Sequence, residues 1–245
     1  MPGIHVVTDS ACDLTPEMCD ERGIRVVPLT IRFGDEELVD RQELSVKEFW
    51  DRVVTGPHMP ETAAPAPGAF QQAFLDAAEA GAEGVVCVNL SSGLSATYQS
   101  ARTAADALGG EIPVRVVDSL SVTMGLGLMV LKAVDLAADG HSLDDIVTEL
   151  EDVRSRTHVY GVVDSLDFLK RGGRIGGAQA LLGSLLSIKP VIDVRNGVVE
   201  VESKQRTRAR ALDYLAGKAI EAGPLDALAM ASGVAPDADE LAAKL

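Results

Sequence analysis

The amino-acid sequence predicts an α/β protein of two domains. The first, residues 1–153, is a Rossmann-like, doubly wound parallel sheet. The second, residues 154–245, is an α/β domain with a mixed, partly antiparallel sheet. Three observations lead there. Short β-branched runs at 4–7, 85–88 and 114–117 alternate with helical patterns, which is the βα order of a parallel sheet. A chain of 245 residues, 47% hydrophobic, is long and apolar enough for two ordinary cores. Past residues 151–157 the character changes, and Asn196-Gly197 between two strand-like runs signals an antiparallel hairpin.

Taken in order, residues 4–7 form a first strand that ends in the polar loop Thr8-Asp9-Ser10-Ala11-Cys12-Asp13. Thr15-Pro16-Glu17 starts a helix, with a cap, a proline in the first turn and an acid at the positive end; Gly23 stops it. Residues 24–30 read as the second strand and 33–36 as a turn. Ser45-Val46-Lys47-Glu48 is a capping box before a helix carrying Phe49, Trp50 and Val53. Residues 56–67 hold four prolines and are expected to lack regular structure, either as a surface loop or as a stiff loop over a pocket. A helix follows through Phe70, Phe74 and Leu75. Next come the strand at 85–88, the small polar loop 89–93 and a helix expected from Leu94 through Tyr98 and Ala101 toward Leu108. The strand at 114–117 ends in Asp118-Ser119. Residues 124–137 form a strongly apolar helix, and Ser142-Leu143-Asp144-Asp145 opens a charged one that ends near Thr157.

The second domain begins with a strand at 158–163. A helical turn at 166–171 runs into the glycine-rich stretch 172–177, and 178–186 reads as a small apolar helix. Residues 188–194 and 198–203 flank the hairpin turn. A helix at 206–222 opens with several basic residues, 227–231 reads as a strand and 236–245 as a last helix.

A net charge of −15 argues against nucleic-acid or anionic-membrane partners. Cys12, Cys19 and Cys87 are odd in number and far apart, which indicates neither a zinc site nor a disulfide framework and suits a reducing compartment. Residues 1–5 do not open a signal peptide, and the apolar run 121–134 is too short and interrupted to span a bilayer, so the expected location is cytoplasmic. No P-loop occurs, and Gly125-x-Gly127 lacks the third glycine of a dinucleotide fingerprint. Gly93-Leu94-Ser95-Ala96-Thr97 approaches a nucleophile elbow but has Thr97 where the last glycine belongs. His5, His58, His141 and His158 carry no partner motif. Neither metal nor cofactor is expected.

The stretch with the most chemistry is 85–101, VVCVNLSSGLSATYQSA, which runs strand, tight loop, helix. Open α/β sheets bind ligands beyond the carboxyl ends of their strands. The first turn of a helix offers unpaired N–H groups and about half a positive charge. Ser92 as N-cap, with Ser95 three residues on, could hold a carboxylate or phosphate oxygen; Ser92 could equally cap its own helix and nothing more. Lys170-Arg171 and Arg174 form a basic knot on a glycine-rich turn. They read either as compensation of a helix dipole or as a docking contact for an acidic or phosphate-bearing partner. Residues 206–210 are basic where a helix opens, against the dipole, and need another reason to be there.

Thr8-Asp9-Ser10, the run from Leu90 to Ala101, Asp118-Ser119 followed by Met124-Gly125-Leu126-Gly127, and Leu169-Lys170-Arg171-Gly172-Gly173-Arg174-Ile175 together resemble the DegV family over essentially the whole chain. The resemblance implies a two-domain α/β protein that holds one long-chain fatty acid. It implies the fatty-acid-carrying subunit of a bacterial fatty acid kinase, whose separate, ATP-using subunit phosphorylates the carboxyl group to an acyl phosphate. By the same resemblance, Thr62 and Ser95 hold the carboxylate, with Ser92 assisting. The loops of Asp9, Ser10 and Ser119 are candidate head-group loops, and Arg171 or Arg174 contacts the kinase subunit. Ala63, Ala64 and Ala66 depart from the polar residues the family has beside the threonine, while Pro65 keeps its place. The family's final strand, with a His-x-Gly-Pro-Gly motif, is not found before Leu245.

A chain of about sixteen carbons buried at ~0.8 kcal/mol per methylene gains about 12 kcal/mol before entropy costs. Its carboxylate then needs hydrogen bonds and a dipole. The apolar wall is expected from Leu166, Phe168, Ile175, Leu181, Leu182 and Leu185, with Gly176, Gly177 and Gly183 leaving room between backbones. The alternatives are a stand-alone esterase with Ser92 or Ser95 as nucleophile, and a lipid-sensing regulatory protein.

Overall fold

A computed structural model describes residues 3–181 and 188–245. The chain divides into two compact units, Met1–Thr157 and His158–Leu245. The division falls at 157/158 rather than 153/154 because the last helix of the first unit continues to Arg156.

In the first unit a parallel sheet is built from β1 (Ile4–Asp9), β2 (Arg25–Val27), β6 (Gly84–Asn89) and β7 (Val114–Asp118), in the order β2-β1-β6-β7. Every residue of β6 is buried, as a strand covered on both faces requires. One face packs against α1 (Pro16–Arg22), α5 (Met124–Ala138) and α6 (Leu143–Arg156), around Val86, Val88, Leu126, Met129 and Ile146. The other packs against α3 (Pro67–Glu79) and α4 (Thr97–Ala107), around Val85, Cys87, Phe70, Phe74 and Ala101. The expected caps form: Thr15, Ser45 and Ser142 accept the N–H three residues on, and Gly23 ends α1 at φ 65. α5 lies so close to the turn after β1 that a Cβ on Gly127 would stand 2.5 Å from the Cys12 carbonyl oxygen.

The first unit also carries an antiparallel sheet that the sequence reading did not foresee. β3 (Thr30–Phe33) pairs with β4 (Glu36–Val39) and with β5 (Pro60–Ala63). α2 (Val46–Thr55) supplies Phe49 and Val53 to its small core of Ile31, Phe33 and Leu44. Two expectations are corrected here. Residues 24–30 are not one strand: Pro28 has no N–H to continue the ladder, and the Leu29 N–H donates to Ser10 Oγ at 3.1 Å, so the chain leaves the parallel sheet. Residues 56–67 do contain regular structure. β5 is an edge strand that begins at Pro60, where a missing N–H is tolerated.

In the second unit β8 (Tyr160–Val162), β9 (Lys189–Arg195) and β10 (Val198–Gln205) form a sheet in the order β10-β9-β8, and the pairs described are antiparallel. Asn196 and Gly197 have φ 50 and 80, the two positive values a type I′ turn demands. α7 (Asp167–Arg171) leads to a 3-10 helix, Gly176–Leu181. The rest of the expected helix 178–186, with Leu182, Gly183 and Leu185, lies outside the described residues. α8 (Arg208–Glu221) buries Ala211, Leu212 and Ala216 and is capped by Thr207. The basic start of α8 finds its reason in Asp164 and Asp237, which both hold the Arg208 guanidinium. Residues 227–231 form no strand: Leu228 and Met230 are exposed, and no described strand pairs with them. The last helix is short, α9 (Ala238–Ala242).

Candidate functional site

The loop between β6 and α4 is held by two carboxylates from neighbouring strand ends. Asp9, the last residue of β1, is fully buried. Its Oδ2 accepts the Leu90 N–H at 2.9 Å and the Asn89 amide at 3.1 Å, and its Oδ1 accepts the Ala11 N–H at 3.0 Å. Burial pushes the Asp9 carboxyl up to about 6, against the opposing pull of these three hydrogen bonds. Asp118, the last residue of β7, accepts the Ser92 N–H at 3.1 Å and the Leu120 N–H at 3.0 Å on one oxygen. The Ser91 N–H donates to the Ser121 carbonyl at 2.8 Å and the Ser119 N–H to the Asn89 carbonyl at 3.1 Å. Loops from three adjacent parallel strands are thereby fastened into one platform at the carboxyl edge of the sheet.

α4 starts at Thr97, not at Leu94, so Ser92 lies too far upstream to cap it. Ser92 is exposed, and its N–H is taken by Asp118. The N-cap position is Ala96, which makes no side-chain cap bond, and Ser95 just before it meets the first helical residue. The Ser95 Oγ accepts the Thr97 N–H at 3.3 Å and lies 2.9 Å from Thr97 Oγ1. Ser95 is half-buried, beside a helix turn whose amides have no intrahelical acceptors. Among the described residues no histidine hydrogen-bonds to Ser92 or Ser95.

Thr62 stands on β5, opposite Ile31, and is exposed. Ala66 occupies the N-cap position of α3 without a side-chain bond, and Pro65 and Pro67 bring no N–H. The connection from β5 to α3 is fastened to α4 instead: Ser100 Oγ donates to the Pro65 carbonyl at 2.5 Å. One hydrogen bond thus links the Thr62 segment to the helix that follows Ser95.

The other expected residues divide by task. The Ser10 hydroxyl is turned to the Leu29 N–H. Ser10 also lines a cavity of about 270 Å³ with Cys12, Cys19 and Arg41. Ser119 Oγ accepts the Ser121 N–H at 3.1 Å, stabilising the turn after β7. Asp9, Ser10 and Ser119 therefore brace the loops from within. Arg171 and Arg174 lie in the second unit, at and after the end of α7, and both are exposed. No acidic side chain pairs with Arg171 among the described residues. The Arg174 side chain donates to the Gly172 carbonyl within the turn. The thiols are buried, and burial pushes Cys12 up to about 12 and raises Cys87 well above the ordinary thiol value, so neither is a ready thiolate. Among the described residues no group of three or more His, Cys, Asp or Glu could hold a metal, and no helix is long and apolar enough to cross a membrane.

Thr97, Ser100 and Asp118 went unmarked as site residues in the sequence reading. Asp118 could have been found, since it ends a parallel strand where ligand loops begin. Thr97 and Ser100 act through contacts that only the fold brings about.

The fold and this platform define a two-unit α/β protein with serine hydroxyls and helix amides gathered at the carboxyl edge of a parallel sheet. The model of the DegV family, described as "Uncharacterised protein, DegV family", matches residues 3–245. The chain belongs to the DegV family. It is 44% identical over 213 residues to a DegV domain-containing protein of Deinococcus radiodurans, covering 87% of this chain and 75% of that one. To one from Streptomyces coelicolor it is 37% identical over 242 residues, covering 96% and 83%. Among solved structures it is similar to a fatty-acid-binding DegV family protein of Thermus thermophilus, with TM-score 0.83, 39% identity, and 90% and 77% of the two chains covered. DegV of Bacillus subtilis, a fatty acid binding protein, matches with TM-score 0.81 and 34% identity over 90% and 78%. A stearic-acid-binding protein of Eubacterium ventriosum matches with TM-score 0.81 and 27% identity over 89% and 76%.

Proposed function

We propose that this protein binds one long-chain fatty acid and presents its carboxylate to a separate ATP-dependent kinase subunit, which phosphorylates it to an acyl phosphate. The protein itself carries out no covalent chemistry in this scheme. The observation that carries the reading is the Ser95 hydroxyl at the start of α4, at the carboxyl edge of the parallel sheet, in a chain 39% identical to a fatty-acid-binding relative. Ser95 and Thr62 hydrogen-bond the carboxylate, and the exposed hydroxyl of Ser92 assists. Hydrogen bonds from hydroxyls and amides replace the water that a carboxylate loses on binding. The acyl chain supplies most of the affinity, at ~0.8 kcal/mol per buried methylene. Arg171 or Arg174 contacts the kinase subunit, to which an exposed guanidinium offers charge-assisted hydrogen bonds. Partnership with an ATP-using enzyme places the work in the cytoplasm.

Thr62→Ala and Ser95→Ala are expected each to weaken acyl-phosphate formation with the partner kinase, and Arg171→Glu to weaken its docking. Full activity of both hydroxyl variants overturns the site. Steady turnover of an activated ester by the purified protein overturns the carrier reading in favour of an esterase.

A further inference from the structure

Ser95 Oγ lies 2.9 Å from Thr97 Oγ1 and also accepts the Thr97 N–H at 3.3 Å. Distance leaves the direction of the first bond open, but burial decides it. Thr97 is fully buried, and among the described residues Ser95 is the hydrogen-bond partner of its hydroxyl and no other is found. A hydroxyl has one proton and two lone pairs. Were Ser95 the donor, the Thr97 proton would sit in the interior without an acceptor, a costly state that native interiors avoid. With Thr97 as donor, both of its protons, O–H and N–H, go to Ser95 Oγ. The two lone pairs of that oxygen are then occupied, and what remains to Ser95 is its own proton. Ser95 is half-buried, so this proton has a way out to a ligand.

We propose that Thr97 is a specificity-determining residue: by donating to Ser95 it makes the Ser95 hydroxyl an outward donor, which favours a carboxylate head group over one that must itself donate. The inference rests on the fatty-acid reading above and assigns the acid preference of that site to Thr97. Thr97 does not touch the ligand. It sets the orientation of a proton on the residue that does. A carboxylate only accepts and meets a proton already aimed at it. The hydroxyl of a fatty alcohol has a proton of its own, for which the filled Ser95 oxygen offers no lone pair.

The test is titration of the delipidated full chain with stearic acid and, separately, with octadecan-1-ol, followed by native mass spectrometry. The acid-to-alcohol affinity ratio is expected to fall about tenfold in Thr97→Val and to stay near the wild-type value in Thr97→Ser, which keeps the donor. Equal weakening of both ligands, or no change in either, overturns the proposal, because a purely structural role would not alter the ratio. If Thr97→Val does not fold, Thr97→Cys, of similar size and a weak donor, must show a smaller fall; an unchanged ratio overturns the proposal. Ser95→Ala keeps the two claims apart. If it leaves acid binding intact, the carboxylate reading falls. If it weakens acid binding while Thr97→Val leaves the ratio unchanged, the Thr97 assignment alone falls.

Discussion

Asp9→Asn tests how the platform is held. In the folded chain the Asp9 carboxyl titrates at about 6 instead of 3.8, chiefly because it is buried. The gap corresponds to about 3 kcal/mol at 1.36 kcal/mol per pH unit. The sign follows from linkage. A carboxyl that holds its proton more tightly when folded stabilises the fold at low pH. That contribution is complete below pH 3.8, declines as pH rises, and is lost above about pH 6. Asparagine does not titrate, so the difference between wild type and Asp9→Asn isolates this group from the other 36 acidic side chains of the 37 in the chain. The difference in unfolding free energy, wild type minus variant, is expected to fall by about 3 kcal/mol between roughly pH 3.5 and pH 7. Trp50, the one tryptophan, lies on α2 of the first unit and reports its unfolding by fluorescence in urea at each pH. A difference that stays constant across this range refutes the reasoning that burial outweighs the three hydrogen bonds at Asp9.

Three further outcomes are expected. Ser100→Ala removes the bond to the Pro65 carbonyl and should weaken stearic-acid binding about fivefold, the equivalent of one neutral hydrogen bond, with Ser100→Thr recovering most of it in the same titration. Gly127→Ala sets a methyl against the Cys12 carbonyl and should cost the first unit about 1–3 kcal/mol in urea denaturation followed by Trp50. In the second unit, hydrogen bonds from Lys218 and Tyr214 hold the Glu202 carboxyl below its usual range. That contribution is present above pH 4.5 and lost as pH falls through the folded value, so Glu202→Gln should flatten the acid side of the second unit's stability profile by circular dichroism.

Local signals were legible wherever local physics decides. The β-branched run at 85–88 became the fully buried β6, the capping serines Ser45 and Ser142 start their helices, and Asn196-Gly197 turns its hairpin. Reading failed where tertiary partners overrule composition. Four prolines concealed β5, because Pro60 sits at the start of an edge strand where its missing N–H does not matter. Leu94 suggested a helix start three residues early, because Gly93 and Leu94 form a turn closed by Ser91 rather than the first helical turn. Residues 227–231 have the composition of a strand, but forming one also needs a neighbour to pair with. In the candidate site, the place of Ser95 after a strand and before a helix was legible in the sequence. The Asp118–Ser92 and Ser100–Pro65 bonds join residues 26 and 35 apart, and no local pattern announces them.

The most direct test of the account is native mass spectrometry of the purified chain before and after lipid extraction. It predicts one bound long-chain fatty acid per protein, released as the free acid, and a lower occupancy in the Thr62→Ala and Ser95→Ala variants. A chain that carries no lipid and takes up no added stearic acid contradicts it.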